Sequence, residues 1–325
     1  MVRRAPRGSI TALAAAGALA STGTAYVGAR NLLISQAAKA RSLIPKSWDV
    51  PPRADGVYTP GGGPVQRWQR GMDVDLHLMI FGDSTATGYG CRIADEVPGV
   101  LIARGLAEQS GKRVRLSTKA IVGATSKGLS GQVDAMFVAG PPPDAAVILI
   151  GANDVTKLNG IGASSRRLGA AVRRLKASGA EVVVATCPDF GVVKAIPQPL
   201  RWTVRTLGLR LARAQAGAVR AAGGVPVPLA SLVNDEFRHS PHLMLSDDQF
   251  HPSAAGYALA ASQLLPALCS ALGDWPDAPT PALPSSSATE AGPGFTVLRV
   301  LSRLWRRPTT GVPAPIVVNA FNAPG

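Results

Sequence analysis

The chain has four histidines, His77, His239, His242 and His251, so any imidazole base it uses must be one of them. His77 lies inside the apolar run Leu76–Phe81, where it reads as structural. His239 and His242 flank Pro241 and read as solvated loop residues. His251 differs, because it falls in Asp247-Asp248-Gln249-Phe250-His251-Pro252-Ser253. Pro252 suits the first residue of a helix, which puts Asp248 and His251 in the turn leading into it. A separation of three lets one turn present both side chains, with the carboxylate holding the imidazole in its productive tautomer. Asp247 competes for that role, and the spacing favours Asp248. A base of this kind needs a hydroxyl to activate, since serine is inert at its own pKa. Ser84 qualifies: it closes Gly82-Asp83-Ser84 at the end of the run that contains His77.

These residues need a frame, and the apolar pattern supplies one. Short runs recur at Leu76–Phe81, Val114–Val122, Ala145–Ile150, Glu181–Thr186 and Val225–Leu229. Between them lie longer Ala/Leu/Arg stretches at helical spacing, such as Ser164–Lys176 and Arg201–Ala222. Strands of this length alternating with helices indicate a parallel sheet covered on both faces. The expected class is α/β, a three-layer α/β/α sandwich around a central parallel sheet of about five strands. In such sheets functional residues sit beyond the carboxyl ends of the strands. The first three runs end in Gly82-Asp83-Ser84, Gly123-Ala124-Thr125 and Gly151-Ala152-Asn153-Asp154, all small or polar.

Taken in order, Gly82-Asp83-Ser84, Gly123, Gly151-x-Asn153-Asp154 and Asp248-x-x-His251 resemble the four motif blocks of the SGNH (GDSL) hydrolases, a family of serine esterases and lipases with a flavodoxin-like fold. Each block alone is common; four in sequence at the expected strand and helix edges are specific. The resemblance covers roughly residues 75–272. The opening Phe81-Gly82-Asp83-Ser84-Thr85-Ala86-x-Gly88 and the N-terminus look most like envelope-associated esterases of mycobacteria and related actinobacteria.

The resemblance implies Ser84 as nucleophile, His251 as general base and then general acid, and Asp248 as the group that orients His251. It also implies an oxyanion hole made of the Ser84 N–H, the Gly123 N–H and the Asn153 side-chain amide. These residue types suit the task, because glycine admits close backbone approach and an amide is a fixed neutral donor. Asp83 is expected to brace the turn rather than react. The implied activity is hydrolysis of short-chain acyl esters through an acyl-enzyme. Deacylation of acetylated envelope glycans or lipids is the alternative, and a non-catalytic envelope-binding module the remote one. The stretch Asp189–Trp202 after the fourth run borders the site, where its apolar residues either receive an acyl chain or pack beneath the loop.

Other chemistries lack their signatures. The sequence has no Gly-x-Ser-x-Gly elbow, no phosphate-binding or dinucleotide glycine loop after the first strand, and no HExxH cluster. No cofactor and no metal is therefore expected. A hydrophobic fraction of 46% with 17% charged residues excludes a largely disordered chain, and 325 residues leave room for a large core.

The net charge of +14 sits at the ends. Residues 1–46 carry seven basic groups and no acid, and residues 291–325 carry four and no acid. Removing these leaves 23 basic against 20 acidic groups, a nearly balanced body that argues against nucleic acid as a partner. Arg3, Arg4 and Arg7 before the apolar run Ile10–Ala20 read as an export signal or an uncleaved anchor, with small-x-small sites at Gly23/Ala25 and Val27/Ala29. An ordinary Ala-rich first helix is the plainer alternative. The resulting boundaries are 1–46 signal or anchor, 47–74 linker, 75–273 catalytic domain and 274–325 a Pro/Ala/Ser-rich tail. Within the tail, 295–307 is basic and amphipathic, suited to peripheral membrane contact, to docking on the domain or to pairing with a second subunit. Placement outside the cytoplasm follows from the N-terminus. Cys91 and Cys187, both after strand ends, could form a bridge there or stay unpaired, and Cys269 sits near the end of the last helix.

Overall fold

The computed structural model describes residues 27–40, 42 and 50–273. Among them, six strands form one sheet: β1 (Gly56–Tyr58), β2 (Leu76–Gly82), β3 (Val114–Thr118), β4 (Ala145–Leu149), β5 (Glu181–Ala185) and β6 (Val225–Val227). Their spatial order is β1-β3-β2-β4-β5-β6. The strands from β2 to β6 are parallel, and β1 joins the β3 edge antiparallel.

The helices are α1 (residues 27–40), α2 (Ser84–Thr87), α3 (Pro98–Ser110), α4 (Leu129–Ala139), α5 (Ala152–Thr156), α6 (Ile161–Ala177), α7 (Leu200–Arg220), α8 (Leu229–Leu232), α9 (Asn234–His239), α10 (Pro241–Met244) and α11 (Ala254–Leu272). One sheet face, with Leu78, Ile80, Leu116, Val147 and Val183, packs on α3 and α11. The other, with Met79, Phe81, Ile148 and Val184, packs on α4, α6 and the end of α7. Every residue of β2 and β4 is buried, so these strands show unbroken apolar runs rather than alternation. Helix α11 is long and apolar enough to cross a membrane, but its Ala260, Leu264 and Leu268 are buried in this core.

The three-layer sandwich is as expected, with one strand more. Residues 56–58, inside the stretch expected to be a linker, form β1. Its short length and Pro/Gly-rich surroundings hide it, since those residues make the turns of a ribbon that covers the sheet edge. Val57 exchanges two backbone hydrogen bonds with Gln66 (2.8 and 3.1 Å), and Tyr58 is buried with its hydroxyl donating to Ala54 O. Helix α1 lies within the segment expected to be leader and linker, yet it is docked on the domain. Ala40 packs with Phe190, Ile196 and Val204, while the Gln36 amide donates to Gln198 O and accepts from the Leu200 N–H. The rest of the leader, the Gly23/Ala25 site and the tail 274–325 with its basic segment lie outside the described residues.

Local boundaries also shift. Pro252 is not the first residue of the last helix: Ser253 caps it, its hydroxyl accepting from the Gly256 N–H at 3.2 Å, while Pro252 is bridged to Leu245. His239 and His242 are exposed as expected, but on the short helices α9 and α10 rather than in loops. Cys91 and Cys187 are not bridged; Cys187 is buried in apolar packing, and the Cys91 thiol donates to Glu96 O at 3.3 Å.

Because β2 lies between β3 and β4, the connections leave it in opposite directions. A crevice therefore opens at the carboxyl ends of β2 and its neighbours.

Candidate active site

Strand β2 ends at Gly82, where the chain must turn without leaving the sheet. Gly82 has φ +138°, and a Cβ there would lie 1.9 Å from Leu149 O, so only glycine allows β2 and β4 to stay paired to their ends. Buried Gln132 of α4 clamps the same residue, accepting from the Gly82 N–H (2.9 Å) and donating to Gly82 O (2.8 Å). Asp83 then caps α2, its Oδ1 accepting from the Thr85 N–H at 3.0 Å. Burial pushes the Asp83 carboxyl up to about 6 against the opposing pull of its hydrogen bonds and His251. Ser84 follows as the first residue of α2.

Ser84 Oγ lies 2.9 Å from His251 Nε2, and His251 Nδ1 lies 2.5 Å from Asp248 Oδ2. Ser84 and a turn about 165 residues further on thus form one hydrogen-bonded line. The other Asp248 oxygen accepts from Ser246 Oγ (2.8 Å) and from the N–H groups of Phe250 and His251 (2.9 Å each). Burial would raise the Asp248 pKa, but the His251 hydrogen bond and charge, with the backbone donors, hold it down at about 2. An ionised Asp248 keeps the proton on Nδ1, leaving Nε2 to accept from the serine hydroxyl. Gln249, at φ +56°, is the residue that lets this turn aim two backbone donors at one carboxylate. The imidazole is held between rings, 4.4 Å from Tyr89 and 5.1 Å from Phe250. Asp247, the competing acid, points outward and, among the described residues, pairs with exposed Arg92 at 3.2 Å.

The proposed donors sit on the adjoining loops. Gly123 has φ +77° and open space over its α-carbon, so a substrate can approach its backbone. Lys157 Nζ donates to Gly123 O at 2.8 Å, and the Ile121 N–H donates to Gly82 O at 3.1 Å, tying this loop to the end of β2. Asn153 lies half-buried on α5, just after β4. Within the described residues, neither the Ser84 N–H, the Gly123 N–H nor the Asn153 amide has an acceptor. Buried Asp154 locks the two loops together, accepting from the Ser126 N–H and hydroxyl (2.8 Å each), Asn159 Nδ2 (2.9 Å) and Ser164 Oγ (2.9 Å).

His77 does not reach the site. It is buried in β2 with Nε2 2.9 Å from Ser117 Oγ, and burial, aided by Arg115, lowers its pKa to about 4. Sequence reasoning assigned no role to Asp154, although it quoted the residue, and missed Gln132, Ser246 and Gln215. Gln215 accepts from the Cys187 N–H (2.7 Å) and donates to Ile150 O (2.9 Å), clamping the ends of β4 and β5. A glutamine amid an apolar helical face was the available signal for Gln132 and Gln215.

A hydroxyl, an imidazole and a buried carboxylate in line, at the switch point of a doubly wound sheet, are the parts of an acyl-transfer site. Residues 80–259 match the GDSL-like lipase/acylhydrolase family, and the chain belongs to that family. It is 67% identical over 312 residues to a GDSL-like esterase of Mycobacterium tuberculosis, covering 95% of this chain and 99% of that one. The chain is accordingly a carboxylic ester hydrolase. Solved structures similar to it include the lipase/acylhydrolase of Enterococcus faecalis (22% identical, TM-score 0.48, 58% of this chain and 93% of that chain). Another is the esterase EstA of a Pseudoalteromonas species (20% identical, TM-score 0.48, 61% and 100%).

Proposed function

We propose that the chain is an extracytoplasmic serine carboxylesterase that cleaves short-chain acyl esters through an acyl-enzyme. The observation that carries this reading is the continuous line from Ser84 Oγ through His251 to Asp248. His251 Nε2 takes the Ser84 proton as Oγ attacks the ester carbonyl. The oxyanion is received by the Ser84 and Gly123 N–H groups and the Asn153 amide. His251, now cationic and facing ionised Asp248, returns the proton to the leaving alkoxide as the ester C–O bond breaks. A water molecule then gives its proton to Nε2 and attacks the acyl carbon, and Ser84 leaves with that proton.

The short-chain preference rests on the loop after β5. Its Phe190, Val193 and Ile196 are packed into a cluster with Val155, Cys187 and Leu211, so they line no acyl channel. The extracytoplasmic placement rests on the basic N-terminus followed by Ile10–Ala20.

Hydrolysis of p-nitrophenyl acetate and butyrate by the wild type, with background rates from Ser84→Ala and His251→Ala, supports the serine mechanism; retained activity in either variant contradicts it. Faster turnover of long acyl chains than of acetate and butyrate contradicts the length preference. Recovery of the expressed protein solely in the cytoplasmic fraction contradicts the location.

A further inference from the structure

A second concavity lies beside the loop that leaves β5. Between this loop, the start of α7 and α9 is a cavity of about 330 Å³ with four cations on its wall, Lys194, Arg201, Arg205 and Arg238, next to Trp202 and Phe237. Buried Asp189 balances part of this charge from behind: Arg205 Nε lies 3.0 Å from both its oxygens, and Arg238 lies 3.7 Å from one. Lys194 and Arg201 form no ion pair among the described residues. The acids nearest Arg238 in sequence, Asp235 and Glu236, are exposed on α9 and pair with none of these cations. Cations gathered around so small a space repel one another, and an anionic occupant relieves that repulsion. Guanidinium groups also present paired donors that fit the oxygens of phosphate and carboxylate. Trp202 is 60% exposed, so its ring offers a flat apolar face to whatever carries the anion.

Two aromatic rings lead from the edge of the cavity towards His251. The ring of Phe190, the residue before the cavity's Gly191, lies 6.3 Å from that of Phe250, which lies 5.1 Å from His251. We propose that this cavity holds an anionic group, a phosphate or carboxylate, carried by the ester substrate whose acyl end lies at Ser84. The inference rests on the serine esterase reading and narrows its substrates to acyl esters of anionic alcohols.

The test pairs two esters with the same acyl group and the same glycerol body, 1-butyrylglycerol and 1-butyrylglycerol 3-phosphate, on the full chain. In the wild type kcat/KM favours the phosphate ester by about tenfold, the worth of one charge-assisted hydrogen bond. In Lys194→Gln/Arg201→Gln that ratio falls to near unity, whereas a variant that merely disturbs the fold lowers both rates and leaves it. Arg220→Gln, at the far end of α7 and roughly 30 Å away, keeps the wild-type ratio. Independently of turnover, glycerol 3-phosphate produces a saturable change in tryptophan fluorescence that Trp202→Phe and Lys194→Gln/Arg201→Gln both abolish. Equal kcat/KM for the two esters in the wild type overturns the inference while the esterase reading stands. Saturation by inorganic phosphate without any ester preference also overturns it, because the cavity would then bind an ion unconnected to the ester. Failure to hydrolyse 1-butyrylglycerol, with no fluorophosphonate label on Ser84, is the distinct failure of the esterase reading and takes the substrate assignment with it.

Discussion

Replacing Asp248 by asparagine tests the site at one atom. Three donors, Ser246 Oγ and the N–H groups of Phe250 and His251, converge on Asp248 Oδ1. An asparagine must put its carbonyl oxygen there, because an NH₂ would face all three. Its NH₂ is then forced into the place of Oδ2, opposite His251 Nδ1. Two donors cannot face each other, so the imidazole gives up the Nδ1 proton and holds its proton on Nε2, against Ser84. The base is then lost without any change of shape. The expected fall in kcat is roughly 10⁴-fold, or about 5 kcal/mol of barrier, the size seen when an orienting aspartate elsewhere is made asparagine. The assay is p-nitrophenyl butyrate hydrolysis across pH, beside Asp247→Asn, which alters only a pair with exposed Arg92 and keeps kcat within about twofold. An Asp248→Asn enzyme within tenfold of wild type, or an equal loss in Asp247→Asn, refutes the reasoning.

Other consequences can be checked separately. Asn153→Ala lowers kcat by about 10²–10³ with little change in KM, as expected for the loss of one oxyanion donor, and steady-state kinetics reads it. Gly82→Ala drives a Cβ into Leu149 O and costs more than about 4 kcal/mol, visible as loss of a cooperative thermal transition. Two buried groups give opposing pH slopes. His77, lowered from 6.5 to about 4, makes stability rise with pH across that window, because there the unfolded chain binds the extra proton. Asp83, raised from 3.8 to about 6, makes stability fall as pH rises across its own window, because there the folded chain binds it. The two nearly cancel in the wild type, and His77→Gln leaves a fall of about 3 kcal/mol between pH 4 and 6, measurable by urea unfolding.

Strands β2 to β6 were legible because a sheet covered on both faces buries most of each strand and leaves largely apolar runs in the sequence. Strand β1 was not, because three edge residues among turn-forming prolines and glycines carry no such run. Ser84 and His251 were legible from their places at element ends. The choice between Asp247 and Asp248 rested on spacing; Asp248 faces His251, with Gln249 beside it in the left-handed region, and Asp247 lies in solvent against Arg92. The supports of the site were hardest to see. Gln132, Gln215 and Asp154 act through backbone groups of loops remote in sequence, and a polar residue on a helix gives no sign of which loop it will hold. Docking of α1 was hidden for a similar reason, since Gln36 satisfies backbone groups at Gln198 and Leu200, more than 160 residues away.

The most direct test of a nucleophilic Ser84 is to look for the bond it must form. The full chain is mixed with p-nitrophenyl butyrate, quenched in acid within the first turnover, digested and read by peptide mass spectrometry. The arrangement of Ser84, His251 and Asp248 predicts one butyryl group on the peptide that carries Ser84, formed with a stoichiometric burst of p-nitrophenol and absent in Ser84→Ala. Steady turnover with no acyl group on that peptide, or an acyl group on another residue that persists in Ser84→Ala, would contradict it.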